Sequence, residues 1–458
     1  MGLYLTEVVD LVIKSKYLIT MSDPLVITDA AVAISNGVIV AAGRAGEVLS
    51  KFRGEEVVER STHVVLPGFL DGHTHTQQVF LRSSISDYVL QLPPIWTEYL
   101  IPFERMLGSE LAYLSSLFSV ASMAKYGTTY FIEACAPYPE ELIKAINEVG
   151  IKGVVTYATY DIYKDEYIDY REVLRRTEEL LKSGGGGKVR VWCSIREVMM
   201  ASEELLEGVR ELCRKYGAGL TYHLGEYQGE VDYTLSKYGL RPLEVMDRFG
   251  LTDIKPAVIA HGVYFSEPEV EILKKKGICV CWCPTVDSVL MGPHWLGLRY
   301  SGKLMFCLGS DGGAFSTLDL LHEVKVARAV SKSTSVALTY DKVGLDSRTL
   351  LKALTGWGGR VVGEKVGAIK EGYSADLTVI DLRSFNALPT YDPVESIVTF
   401  AEGSNVSDVI VDGEFVVREG RLVRVNEEEI KEKVLDALPE LEELISELRK
   451  NLKLGVRT

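Results

Sequence analysis

Apolar and polar positions along the chain fall into two patterns. At both ends, short alternating runs are punctuated by turn residues. DLVIKSKYLIT, AAVAISNGVIVAAG and EEVVERSTHVVLPG open the chain, and ADLTVIDL, VSDVIVDGEFVVREG and RLVRV return near the other end. Asn36-Gly37 and Asp412-Gly413 between apolar halves predict tight β-hairpins, whose two turn residues take positive φ. The economical reading is a small β-sandwich domain built from residues 1–66 and 370–424.

Between these ends, eight apolar runs alternate with helix-periodic stretches. The runs are HVVLPGFLDGHTH, TTYFIEA, KGVVTYATY, VRVWCSIRE, AGLTYHLGE, AVIAHGVYF, ICVCWCP and MFCLGSDGG. Helical stretches such as EELIKAINEVG, EELLEGVRELCRKYG, PLEVMDRFG and EPEVEILKKKG close on Gly, a C-cap signal. This alternation predicts an α/β fold, a (β/α)8 TIM barrel over residues 67–369. Residues 425–458 are charged and helix-periodic and read as a packing or subunit-contact helix. Gly184–Gly187 reads as a flexible loop, not a phosphate cradle.

Composition narrows the function classes. The chain has 458 residues, 47% hydrophobic and 25% charged, as an ordinary soluble globular protein does. A net charge of −14 argues against nucleic-acid binding, which needs a basic surface. Apolar runs stay short of the roughly 18–20 residues of a membrane helix, and the N-terminus lacks a signal-peptide pattern. No membrane partner and a cytoplasmic location are therefore expected. Seven cysteines, an odd number, do not resemble a disulfide framework. Cys279, Cys281 and Cys283 alternate along one strand face and read as buried thiols; such neighbours diverge poorly around a tetrahedral ion.

The chemistry sits where barrel active sites lie, at the C-terminal ends of the strands. The first run ends His73-Thr74-His75, whose i, i+2 spacing puts both imidazoles on one face. The fifth ends in His223, the sixth in His261 and the eighth in Asp311. Of seven histidines, four fall on this rim; His63, His294 and His322 do not. Three imidazoles and a carboxylate suit Zn²⁺ or Fe²⁺, and such an ion lowers the pKa of water to about 7. The zinc site built on H-x-E with P-C-x-x-C is absent; Cys283-Pro284 runs in the reverse order.

PGFLDGHTHTQ, the HxxE of His223 to Glu226, the AHGV around His261 and the LGSDGG around Asp311 together resemble the amidohydrolase superfamily. The similar branch holds S-adenosylhomocysteine and methylthioadenosine deaminases, guanine deaminase and triazine hydrolases. VGAIKEGYSADLTVIDL and VSDVIVDGEFVVREGRL resemble its C-terminal β domain, so the likeness spans residues 8–424. The resemblance implies one divalent ion, Zn²⁺ with Fe²⁺ as alternative, held by His73, His75, His223 and Asp311. It gives Asp311 the proton of the attacking water, Glu226 the protonation of a ring nitrogen, and His261 the orienting of hydroxide or polarising of the scissile centre. The implied reaction is deamination of a purine, pterin or triazine type of N-heterocycle by metal-bound hydroxide attacking a ring carbon. The alternative is hydrolysis of a cyclic amide or other ring substituent at the same site. A catalytically silent assembly protein is a further alternative, against which the complete residue set speaks. Binuclear relatives carry a strand-four Lys or Glu; here Ser194-Ile195-Arg196-Glu197 has no Lys, which favours one metal and leaves Glu197 as the opening for a second.

The stretch LRSSISDYVLQLPPIWTEYLIPFE resembles the family segment that covers the pocket, matching Gln77, Arg82, Trp96 and Glu104. Gln77, Trp96 and Arg196 are the expected substrate-binding residues. Trp96 would stack on a planar heterocycle, with a core role as the alternative. Arg196 resembles an arginine that bonds a ring carbonyl in guanine deaminases, with a rim ion pair to Glu197 or a neighbour as the alternative. Where nucleoside deaminases of this branch read Pro-His-x-x-Tyr, His-x-Pro-x-Ser-Asn and Ser-Asn-Asn, this chain reads Ser194–Glu197, Trp282–Asp287 and Ala314–Thr317. These departures count against a ribosyl site and leave the metal chemistry untouched. The expected partners are a small heterocycle and water, in a homo-oligomer as is usual for the family.

Overall fold

The computed structural model describes residues 6–90, 94–164, 166–292 and 304–451. The N-terminal stretch forms β1 (Glu7–Ile19), β2 (Val26–Ser35), β3 (Val38–Arg44) and β4 (Phe52–Pro67). Asn36 and Gly37 turn β2 into β3 with φ of 51° and 74°, the doubly positive geometry of a two-residue hairpin. The apolar run from His63 to His75 is split at Gly68, so that β4 stays in this sheet and β5 (Phe69–His75) enters another. A Cβ on Gly68 would lie 2.1 Å from Thr129 Oγ1, so a larger residue would push the strands apart.

The central strands follow in chain order. They are β6 (Thr128–Glu133), β7 (Lys152–Val155), the ribbon β8 (Ile162–Tyr163) and β9 (Glu166–Tyr167), β10 (Val189–Val191) and β11 (Cys193–Ile195). Then come β12 (Leu220–Leu224), β13 (Ala257–His261), β14 (Cys279–Trp282), β15 (Phe306–Leu308) and β16 (Asp311–Gly312). They build two parallel five-stranded sheets, β10-β7-β6-β5-β16 and β11-β12-β13-β14-β15. The fourth and eighth runs each supply two segments. Trp192 separates β10 from β11, Gly309 and Ser310 separate β15 from β16, and each segment bonds a different sheet. The strands of the two parallel sheets carry helices between them and, β10 apart, are buried on both faces, which is why they read as continuous apolar runs.

Inside the strands, small residues make room for sulfur. All seven cysteines are buried and unbridged, as expected of thiols acting as small apolar groups. A Cβ on Gly72 would lie 2.2 Å from Cys307 Sγ and 2.9 Å from Cys281 Sγ.

At the far end, β17 (Leu377–Asp381) pairs antiparallel with β4, Leu377 opposite Pro67. It is followed by β18 (Val406–Val411), β19 (Glu414–Arg418) and β20 (Arg421–Leu422), with Asp412 and Gly413 at φ 51° and 77° in the hairpin. The sheet β20-β19-β18-β17-β4-β1-β2-β3 is therefore mixed and drawn from both ends of the chain. Lys152, from β7, reaches Asp376 at 2.8 Å and Asp412 at 2.6 Å, tying this sheet to the parallel strands. The last helix, Glu427–Asn451, lies on the segment that follows β5: Leu441 and Leu448 are buried with Trp96, Tyr99 and Phe103, and Arg449 donates to Ser84 O at 2.9 Å. Among the described residues no helix is long and apolar enough to cross a membrane.

Two stability predictions follow from this packing. Gly72→Ala forces a methyl group into the two sulfurs and is expected to cost about 1–3 kcal/mol, read as a lowered Tm. Burial alone would raise the Asp412 carboxyl, but Lys152 and Lys188 hold it down at about 2, against an ordinary 3.8. A depressed carboxylate contributes stability above its unfolded pKa and loses it as pH falls through the folded one. Asp412→Asn should therefore cost on the order of 1 kcal/mol at pH 6, solvent screening included, with the gap to the parent closing between about pH 4 and pH 2 in denaturant titrations.

Candidate active site

Parallel strands end at one level, and here their ends carry imidazoles. His73 and His75 lie on β5, His223 on β12, and His261 closes β13. Asp311 opens β16, opposite Thr74 of β5. His63, 3.9 Å from Asp381, and the exposed His322 stand elsewhere; His294 lies outside the described residues. His261 and Asp311 take positive φ, 71° and 54°, a costly conformation that concentrates at functional positions.

The geometry tests whether this cluster fits a metal. His75 Nε2 and His223 Nε2 are 3.1 Å apart; Asp311 Oδ1 lies 3.5 Å from His73 Nε2 and 3.6 Å from His75 Nε2. Ligand atoms about 2.0–2.1 Å from a tetrahedral ion stand roughly 3.3–3.4 Å from each other, so these spacings fit. Neither ring nitrogen of His73, nor His223 Nδ1, has a hydrogen-bond partner among the described residues, although both rings are buried. Burial, then the neighbouring imidazoles, push His75 and His223 well below the ordinary histidine range. Neutral imidazoles with converging lone pairs are the metal-binding form.

The groups beside them titrate differently. Burial opposes ionisation of Asp311, yet His73 and its neighbours hold it well below the usual carboxylate range. Burial pushes the Glu226 carboxyl up to about 8. Burial would lower His261, but Glu226, Asp287 and Asp311 outweigh it and raise the imidazole to about 10. His261 Nε2 lies 3.9 Å from Glu226 Oε1 and 4.0 Å from Asp311 Oδ2. A small cavity against these groups is walled by Ile95, Trp96, Leu100, Val286, Leu290 and Phe315, with Arg196 as a polar wall.

The expected substrate residues separate here. Trp96 lines the cavity, its ring edge-on to Tyr227 at 5.0 Å. Arg196 also lines it, but its ion pair is with Glu104 instead of Glu197: Nη1 and Nη2 donate to the two carboxylate oxygens at 2.8 and 3.2 Å. Gln77 does not line the cavity. Its Nε2 donates to Ser116 Oγ and Tyr138 O, and its Oε1 accepts the Tyr138 N–H, so the amide is consumed by the helix Ser109–Lys125 and the start of the helix Pro139–Val149. Glu197 faces Glu230 and Glu226 and belongs to no candidate ligand group among the described residues.

Sequence reading missed several groups. Asp287 bonds His261 Nδ1 at 2.8 Å. Glu230 accepts the backbone N–H groups of Gly225 and Glu226 at 3.0 and 2.9 Å. Asp71 accepts from His73 N and from Ser310 N and Oγ, joining the first and eighth strands. Asp71 carried a signal, its place two residues before His73, and Asp287 stood as the last residue of the departing stretch Trp282–Asp287.

The sequence profile described as "Amidohydrolase family" matches residues 64–416. The chain belongs to the amidohydrolase family. This amidohydrolase is 32% identical over 387 residues to a 5-methylthioadenosine/S-adenosylhomocysteine deaminase of Pyrococcus abyssi, covering 83% of this chain and 89% of that one. It is 31% identical over 397 residues to a 5'-deoxyadenosine deaminase of Methanobrevibacter smithii, covering 85% and 89%. Its fold is like that of a zinc-bound adenosine deaminase from Xanthomonas campestris, with a TM-score of 0.86 at 24% identity over 97% of this chain and 100% of that one. The protein is a metal-dependent hydrolase.

His73→Ala removes a buried donor from the cluster, and bound zinc per chain, measured by plasma mass spectrometry after dialysis, should fall at least 10-fold. Glu104→Ala strands the Arg196 charge in the interior and is expected to cost about 3–5 kcal/mol in urea unfolding.

Proposed function

We propose that this amidohydrolase deaminates an N-heterocycle, with an aminopurine ring first among purine, pterin and triazine types. The observation that carries this reading is the placement of Glu226 at the cluster: a carboxyl that burial keeps protonated near neutral pH, within 4 Å of His261, facing an apolar cavity. The names of the two deaminase relatives support it.

His73, His75, His223 and Asp311 would hold one Zn²⁺, with Fe²⁺ as the alternative. When bound, such an ion acidifies water and so supplies hydroxide at neutral pH. The chain's own groups divide the remaining work. Asp311, kept ionised by its imidazole neighbours, takes the proton of the attacking water. Glu226 donates its proton to a ring nitrogen, which makes the adjacent carbon electron-poor; it then takes the hydroxyl proton of the tetrahedral carbon and passes it to the departing amine, which leaves as ammonia, and the proton held by Asp311 restores the Glu226 carboxyl. His261, between Glu226 and Asp311, stabilises the negative charge that develops at the attacked centre. Trp96 offers a face to a planar ring, and Arg196, its charge balanced by Glu104, offers N–H donors to a ring acceptor. Ile95, Leu100, Val286, Leu290 and Phe315 exclude bulk water.

The same reading takes the parallel strands as a closed (β/α)8 barrel over 67–369. It takes the sheet shared by the termini as a β-sandwich domain from 1–66 and 370–424, with a helical segment at 425–458. It includes a cytoplasmic homo-oligomer.

The test is ammonia release by zinc-loaded protein from purine bases, adenosine derivatives, pterins and triazines. One class should release ammonia, and Glu226→Gln should lower kcat by about 10²–10⁴-fold while keeping its zinc. Silence across the panel from metal-replete protein would overturn deamination and bring cyclic amides forward.

A further inference from the structure

Beyond β14 the chain reads Cys283-Pro284-Thr285-Val286-Asp287, and Pro284 opens a short helix, Pro284–Leu290. That helix returns one carboxylate to the strand ends. Asp287 is fully buried, with Oδ1 2.8 Å from His261 Nδ1. Its other oxygen accepts the Cys283 backbone N–H at 3.3 Å, and its own N–H donates to Cys283 O at 2.8 Å, so the carboxylate is fixed from behind. Among the described residues no lysine or arginine forms an ion pair with Asp287; His261 is its counterpart.

An imidazole can present either nitrogen, and the group bonded to one decides what the other does. A carboxylate only accepts, so it fixes the hydrogen on Nδ1 and leaves Nε2 toward Glu226 Oε1 and Asp311 Oδ2. An asparagine amide both donates and accepts and makes no such choice. The nucleoside-deaminase pattern from which this chain departs ends this stretch in Asn; here it ends in Asp287.

We propose that Asp287 is a positioning residue for the hydrolytic reaction, holding His261 in one orientation through its Nδ1–H so that Nε2 stays aimed at the reacting centre. This rests on the strand-end cluster being the active site, as set out above. The competing role is purely structural, a cap on the Cys283 N–H. Asp287→Asn keeps an oxygen for that cap and the same shape, while removing the acceptor-only group.

The experiment compares zinc-loaded parent, Asp287→Asn and Asp287→Ala by two readouts. The first needs no substrate. A buried Nδ1 proton bonded to a carboxylate gives a far-downfield proton resonance, assignable by ¹⁵N-histidine labelling and by its absence in His261→Asn. It is expected in the parent and lost in Asp287→Asn. The second uses whichever compound releases ammonia: Asp287→Asn should lower kcat by about 10–100-fold, with zinc content unchanged and KM within about 3-fold. A resonance that survives in Asp287→Asn overturns the proposal, as does loss of zinc or an undiminished kcat. If the parent releases no ammonia, deamination fails, and the resonance alone still decides whether Asp287 sets His261.

Discussion

Imidazoles brought together away from water stay neutral, and two ring nitrogens facing one another at hydrogen-bond distance must share either a proton or a cation. His75 and His223, with Nε2 atoms 3.1 Å apart, are the plainest case in this chain. Much of the active end follows from that constraint. A cation bound there, as proposed above, would find an anionic ligand in Asp311, which His73 first and then His261 hold ionised. The remaining acid, Glu226, sits just outside this influence, and burial keeps its proton on. One buried space thus contains carboxyl groups in opposite states, the separation that acid–base chemistry needs.

Strand ends alone would not hold such groups in place, and a second set of buried acids does so. Asp71 receives N–H groups from His73 and Ser310, Glu133 from Thr76, Glu230 from Gly225 and Glu226, and Glu323 from Thr285. Each accepts backbone N–H from the turn that leaves a strand, where loop amides lack a ladder partner. Burial raises these carboxyls to about 7 or 8, so their hydrogen bonds, more than their charge, make the connection.

The parallel strands and the rim histidines were legible because period and position both depend on neighbours in sequence. Buried strands read as apolar runs, and His73 and His75 share a face at i, i+2. The hairpins at 36–37 and 412–413 were legible for the same reason: two consecutive positive φ values select the residues. Asp287 was not, because it acts through a helix that folds back onto the end of another strand, which no local spacing records; Glu230 bonds amides only four and five residues before it, a loop geometry that apolar periodicity does not report. Gln77 went the other way. It lies two residues past His75, yet its amide turns to Tyr138 and Ser116, a partnership set by tertiary packing. The division of the fourth and eighth runs between two sheets was equally hidden, since a strand's sequence does not say which neighbour each half will bond.

The cavity over the cluster encloses about 20 Å³, room for a single water molecule. One side of the cavity is built from Ile95, Trp96 and Leu100. These residues share a hydrophobic cluster with Leu441 and Leu448 of the last helix. The wall of the cavity and the helix Glu427–Asn451 therefore share one apolar core, so a change in the packing of that helix is felt beside the chemistry.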